Sequence, residues 1–484
     1  MKKLQRFFPL IFILIYLFFN NNVIAQPNNY WSMGSNTPSS LLAGAVVGGG
    51  AGITSIFYNP AGISDIEQNK LALNASLFSF NWHLYDNALG NNSQLDYLEW
   101  QVKPRFLSYQ FKSKKHKRIN YQLAIFNRNQ QLVELYDQKT SELTSEIGNN
   151  KVNYTASYDL EKRYTDYWLG FGISYDITEH FSIGASLFGS GKTMRYYQYI
   201  GAIADPINDT IAKNSEWESI ERQYFYVVSL IGKIGMRYRF DNLSIGLNIS
   251  LPSMRLWGDG YNKRSIQYSN IVHNGVLQKD YLRNEYNDYI VANIKEPFSV
   301  SAGLMYSSAN KKSTYYLSVE YFAKIATYKT LDNTQIAWGY EDEYPPGDDF
   351  LSYKYGANDL FNIGLGYRHR VKESLAYFLG FRTDLSSYDV SNKGEWQDMS
   401  EYVNIGNALY HLSGGVEFRY KSSSFLVGAE YIYGVNDKAT QFANFDYPGI
   451  FDEQAHLALQ DYPEDVMKYQ FHGLGFYIGY SFGF

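Results

Sequence analysis

Five residues, Gly189-Ser190-Gly191-Lys192-Thr193, are of the types that cradle a phosphate: glycines that bare backbone N–H groups, a lysine, and a hydroxyl able to reach Mg²⁺. A working phosphate loop also needs a glycine five positions before Gly191, where Ser186 stands. It must then open a helix whose N-terminus faces the anion. Here Met194-Arg195-Tyr196-Tyr197 reads as a strand, so the pattern does not support nucleotide chemistry. The run Gly48 to Gly52 lacks a lysine and any βαβ context.

Acyl transfer would need a serine, a histidine base and an acid to orient it. The 8 histidines are scattered and no motif marks a serine. His411 and His472, with Arg368, Arg382, Asp384, Glu417, Arg419 and Glu430, read instead as a paired polar network on one face of several strands. No catalytic residue, metal ligand or cofactor is assigned. With 0 Cys there is no thiolate, disulfide or zinc–thiolate site. A net charge of −5 without a basic stripe excludes nucleic acid as a partner. Two polar stretches, 331–350 and 436–466, are acidic through Glu341, Asp342, Glu343, Asp348 and Asp349 and through Asp452, Glu453, Asp461, Glu464 and Asp465. Solvation of a loop accounts for them; divalent bridging to lipid phosphates is the sharper alternative.

The elements that position these residues are strands. In residues 474–484, Leu474, Phe476, Ile478, Tyr480, Phe482 and Phe484 fall on one face, and Gly475, Tyr477, Gly479, Ser481 and Gly483 on the other. The same design recurs at 181–187, 243–251, 298–306 and 361–368. The second face is rich in Gly and Ser rather than charge, as in a crowded barrel lumen and unlike the outside of a soluble sandwich. Aromatic residues make up 18%, with 46 Tyr, yet mean hydropathy is −0.35. A transmembrane helix needs a run of about 20 apolar residues; a transmembrane barrel needs only alternate ones.

Short polar connections at 113–118, 177–180, 241–242, 307–312, 370–373 and 421–424 alternate with longer ones. Six short turns and seven long loops predict an all-β fold, a fourteen-stranded antiparallel transmembrane β-barrel over residues 70–484. The expected strands include 103–112, 119–136, an unbroken 243–261, 289–306, 313–328 and 423–433, and the excess length of 154–176 and 216–240 should project beyond the outer surface. Lys2, Lys3 and Arg6 before the apolar stretch 7–19, then Val23-Ile24-Ala25 before Gln26, predict a signal peptide, 1–25.

Residues 26–69 do not look like barrel. They hold a dense run of small residues and the corner Asn59-Pro60-Ala61-Gly62, where Pro60 fixes φ and biases Asn59 toward extended backbone. A compact segment of this size could plug a fourteen-stranded lumen, since barrels wider than about eight strands leave space inside.

The signal peptide, the small-residue segment ending in Tyr58-Asn59-Pro60-Ala61-Gly62-Ile63, and the strand pattern ending in Phe484 together resemble the long-chain fatty acid transporter family of outer-membrane proteins, which includes aromatic-hydrocarbon transporters. The resemblance implies that 26–69 is a hatch inside the barrel and that Asn59, Pro60, Ala61 and Gly62 take part in gating. It also implies an inward kink in the third strand that opens a lateral path, although Ile119 to Asn127 contains neither Gly nor Pro. It implies passive transport of a hydrophobic small molecule, a long-chain fatty acid or similar, in a bacterial outer membrane. Partners would be that ligand, outer-membrane lipid, and the barrel assembly machinery that reads Tyr480, Phe482 and Phe484 during insertion. An alternative is a structural or secretion-associated barrel whose loops hold protein partners. A lipid hydrolase would show a Ser/His pair at the rim, and a general porin would lack the plug.

Overall fold

The computed structural model describes residues 29–31, 37–65, 69–113, 115–116, 118–144, 151–207, 213–343, 345–387 and 406–483. The expected signal peptide and Phe484 lie outside the described residues. Fourteen antiparallel strands form the wall. They are β1 Lys70–Asp86, β2 Gln94–Lys112, β3 Ile119–Thr144, β4 Lys151–Asp176, β5 Phe181–Pro206 and β6 Ser215–Arg239. β7 comprises Leu243–Ser250 and Met254–Ser269, β8 Tyr281–Ala292 and Ser299–Ser307, β9 Ser313–Phe322 and Ile325–Ile336, and β10 Tyr353–Ala357 and Leu360–Lys372. β11 Leu375–Asp384, β12 Ala408–Tyr420, β13 Ser423–Ala439 and β14 Met467–Gly483 complete the set. β1 pairs with β14 from Lys70↔Gly483 to Asp86↔Lys468, which closes the sheet. The short connections all lie at one end of the barrel, called the lower end below.

The lower half follows the alternation expected from sequence. In β4, Leu169, Phe171 and Ile173 are exposed on the outer face, whereas Gly170, Gly172 and Ser174 are buried on the inner one. Several strands run further up than the sequence pattern indicates: β2 starts at Gln94, β3 reaches Thr144, β9 reaches Ile336 and β13 reaches Ala439. The reason is an inversion. In the upper half of β4 the inner face carries Tyr154, Ala156, Tyr158 and Leu160, all buried, and the outer face carries Thr155, Ser157, Asp159 and Glu161. These inner residues join Phe442, Phe445, Leu457 and Leu459 of the β13–β14 connection in a packed aromatic and aliphatic cap. Tyr158 stacks on Phe442 with ring centroids 5.2 Å apart.

Among the described residues ladder pairing is interrupted at several places in the wall, two of them between β2 and β3 and between β7 and β8. β2 and β3 pair only from Phe106↔Phe126 to Lys112↔Asn120, although both strands continue upward. Above that rung β3 bulges between Asn127 and Asn129 against β4, and both Asn127 and Arg128 are buried. Pro104 of β2 stands two residues beyond the last rung; lacking an N–H, it suits a strand edge. The second discontinuity corrects the expectation of unbroken strands at 243–261 and 289–306. β7 is interrupted at residues 251–253 and β8 at residues 293–298. Pro252 and Pro297 occupy these interruptions, and neither can donate to a ladder.

Candidate ligand pocket

Residues 37–65 contact inward-facing residues almost all the way round the wall. They form a short helix Thr37–Leu41, a helical turn Ser55–Tyr58, and 3₁₀ turns Gly52–Thr54 and Pro60–Asp65. The packing is backbone against backbone: a Cβ on Gly303 of β8 would stand 2.5 Å from the Gly48 nitrogen, and one on Gly48 would stand 2.7 Å from the Gly303 carbonyl carbon. The small residues of both sequences are what permit this approach. Leu41 lies against Gly415 and Gly428 of β12 and β13, and Leu42 against Gly366 of β10.

The Asn59 corner docks on β5, β6 and β7. The Asn59 side-chain amide donates to the Val47 carbonyl at 2.9 Å and the Met236 carbonyl at 3.1 Å, and its oxygen accepts from the Ala61 N–H at 3.1 Å. The Pro60 carbonyl packs on Gly184 of β5, and Gly62 lies against Ser55. Asn59 is extended, with φ −161° and ψ 101°, as the residue before proline requires. Asp65 closes the segment with ion pairs to Arg237 and, at 3.0 Å, Arg239. The paired lower part of β2 and β3 is approached instead by the preceding turn: Gln110 and Gln122, which face each other in that ladder, donate to the Gly52 and Ile53 carbonyls, and Phe57 packs edge-on against Phe126 of the last rung at 5.6 Å.

A pocket lies above this segment and below the aromatic cap, lined by Phe57, Arg128, Trp168, Lys233, Glu296 and Phe322 among others. The Lys233 ammonium stands 4.1 Å from the centre of the Phe57 ring, and among the described residues it forms no ion pair. Arg128 lies 5.4 Å from the same ring centre. Acid on the opposite side is already engaged: Glu320 accepts from Trp31 Nε1 at 2.6 Å and from Ser299 at 2.7 Å. Lys192, the lysine of the phosphate-loop-like sequence, is wholly buried on the inner face of β5. It pairs with Glu296 at 3.1 Å, and Asp166 lies 4.0 Å away. That strand placement explains the motif without a nucleotide.

Most of the expected polar network is present. Arg382 and His411 both meet Glu430, at 3.0 and 2.9 Å, and Arg368 and Arg419 meet Glu417 at 2.7 and 2.9 Å. Asp384 accepts from the Trp31 N–H at 2.8 Å, tying the network to the N-terminal segment. His472 is elsewhere: it bonds the exposed Tyr431 hydroxyl at 2.8 Å. Tyr480 and Phe482 are exposed on the outer face of β14. Among the described residues a Ser/His pair is within reach, Ser313 Oγ and His369 Nδ1 at 3.1 Å at the lower rim. Tyr367 shares that nitrogen at 3.3 Å, and among the described residues no acid pairs with the imidazole, so the orienting member of a triad is missing. Of the acidic stretches, Asp348 and Asp349 pair with Arg283 and Lys329. Among the described residues no acidic or histidine cluster has metal-binding geometry.

The pocket and wall together define a closed fourteen-strand barrel whose N-terminal segment packs against its inner face. No protein-family model matches the sequence, and no curated protein matches it. Solved structures do. The Pseudomonas putida toluene transporter TodX aligns over 94% of this chain and 99% of its own at 12% identity, with a TM-score of 0.54. A Pseudomonas aeruginosa FadL homologue aligns over 96% and 100% at 10% identity, with a TM-score of 0.51. The Ralstonia pickettii toluene transporter TbuX aligns over 94% and 99% at 13% identity, also with a TM-score of 0.51. The chain therefore shares the fold of these proteins along nearly its whole length.

Proposed function

We propose that this protein sits in the bacterial outer membrane and lets hydrophobic small molecules cross it passively, with residues 37–65 acting as the hatch. The supporting observation is where the β2–β3 ladder stops. The last rung, Phe106↔Phe126, is inside the aromatic cluster that includes Trp168 and borders the pocket, so a ligand leaving the pocket meets unpaired wall there. Irregular backbone at membrane depth is tolerated where it lines a cavity. Asn59, Pro60, Ala61 and Gly62 anchor the hatch to β5, β6 and β7, leaving Phe57 and the Gly52–Thr54 turn as the part that yields. Lys233 and Arg128 give the pocket a cationic end beside aromatic rings, which suits an amphiphile with a carboxylate, such as a long-chain fatty acid.

Uptake of a labelled long-chain fatty acid tests this in cells carrying the intact protein, Lys233→Met, Asn59→Ala/Pro60→Ala, or no protein, with surface expression verified. Protein-dependent uptake that falls about tenfold in Lys233→Met, the worth of a charge-assisted hydrogen bond, supports the reading. Uptake independent of a correctly inserted barrel rejects it and moves the assignment to a barrel that holds protein partners through its loops.

A further inference from the structure

The second discontinuity, between β7 and β8, also borders the pocket. Ladder pairing of these strands covers Leu243–Ser250 with residues 299–306, then resumes only at Asp259↔Val291. Between the two stretches lie residues 251–258 and 292–298, joined where Ser253 N donates to the Glu296 carbonyl at 3.2 Å and Glu296 N donates to Ser253 Oγ at 2.8 Å. Residues 293–298 also lack ladder pairing with β9: Asn293 N meets the Thr330 carbonyl and Ala323 N meets the Phe298 carbonyl at either end, and between them Lys295 meets Tyr328, its N–H at the hydroxyl and its ammonium 4.3 Å from the ring centre. Ser250, Leu251, Glu296 and Pro297 line the pocket. On the outer face of this window Leu251, Met254, Leu256 and Trp257 are exposed.

The height of the window fixes what it faces. Eight residues of β7 lie below it. At about 3.3 Å per residue and a tilt near 40° they span roughly 20 Å of an apolar band about 25 Å tall. Trp257 Nε1 donates to the Tyr226 hydroxyl, which reaches Asp259 at 3.2 Å, an aromatic and polar pairing typical of the membrane interface just above. The window therefore opens at the depth of the outer leaflet's acyl chains. Glu296 holds it shut from inside, pairing with Lys192, whose other contacts are Ser190 at 3.0 Å and Asp166.

We propose that residues 293–298 are the movable leaf of a second lateral port, between β7 and β8. Through it the alkyl part of the ligand passes between the pocket and the outer leaflet, and Glu296–Lys192 is its latch. This rests on the reading of the pocket as a ligand site. The port is separate from the β2–β3 gap: five strands lie between them.

The chain has 0 Cys, so a Ser253→Cys/Glu296→Cys pair can staple the leaf without interference. The protein, in nanodiscs of phosphatidylcholine and phosphatidylglycerol, is exposed to a diazirine-bearing palmitic acid supplied either in the bilayer or from water, and adducts at Phe57 and Trp168 are followed by mass spectrometry. Oxidation should slow bilayer-supplied labelling at least about threefold and reduction restore it, while Glu296→Gln, which keeps the shape and loses the latch charge, should speed it about tenfold. Slower bilayer labelling with water-supplied labelling intact supports the port. Bilayer labelling unchanged by both the staple and Glu296→Gln overturns the port and leaves the pocket standing. Absence of labelling from either source overturns the pocket, and the port with it.

Discussion

β4 carries two amphipathic patterns of opposite sense on one strand. Its lower half presents Leu169, Phe171 and Ile173 outward over buried glycine and serine; its upper half presents Asp159 and Glu161 outward over buried tyrosine and leucine. The lower half has an apolar outer face and is filled by close backbone contact; the upper half has a polar outer face and is filled by large side chains. The level where one gives way to the other is the one place where neither filling works. Buried charge collects there, in Asp166, Lys192 and Lys233, and so does the pocket. Both proposed openings lie where the two packing schemes meet.

The strongest way to break that contrast is at the polar network. Arg382→Met leaves Glu430 buried with only His411 and the Tyr477 hydroxyl to meet it, which should cost about 4 kcal/mol and lower the temperature at which the barrel loses its compact migration on gels. Phe442→Ala removes the ring that stacks on Tyr158 and should cost about 3 kcal/mol. Its effect should be confined to the cap: limited proteolysis would cut residues 440–466 while the heat transition of the wall stays in place. If the wall transition falls with it, the two halves are one cooperative unit and the contrast is wrong.

Gly303→Ala sharpens the lower half. The added methyl meets the Gly48 backbone, so a cost of about 2 kcal/mol is expected, against a change within about 0.5 kcal/mol for Gly191→Ala, whose Cβ meets nothing within 4 Å. Equal thermal shifts for the two variants would show that the close approach is not what fills the lower lumen. The smallest effect belongs to the cap loop. The Tyr462 hydroxyl, with the Ala455 and Gln454 N–H groups, holds the Asp452 carboxyl below the usual carboxylate range. Its contribution to loop order is therefore present above the unfolded value, near pH 4, and is lost as the pH falls through the lower folded value. Hydrogen exchange across residues 451–462 should rise in that acidic window in the wild type and stay flat there in Asp452→Asn.

The lower half was legible because its alternation is simple: six short turns and the outward apolar residues of β5, β7, β8, β10 and β14 lie where the sequence places them. The upper half was harder to read, since a pattern sought for lipid-facing strands fails once the greasy face turns inward. That is why the upper part of β3, where Leu135 is buried and Glu134 faces out, does not stand out in the sequence. The unpaired wall had a signal in prolines on neighbouring strands. β3 has no Pro or Gly at its bulge; its former partner β2 has Pro104, and the second discontinuity has Pro252 and Pro297 facing across it. Lys233 carried no signal at all. A lysine in Ile231-Gly232-Lys233-Ile234 is one more inward residue until Phe57, from far away in sequence, is seen over it.

The closing seam of the barrel also dictates an order of events. β1 finds β14 only after nearly the whole chain has been made, and residues 37–65, which precede β1, end up touching strands from β2 to β13. Such a long-range contact is slow to form. The seam must shut last, around an N-terminal segment already gathered inside, so whatever chaperones the open sheet has to keep β1 and β14 apart until the filling is in place.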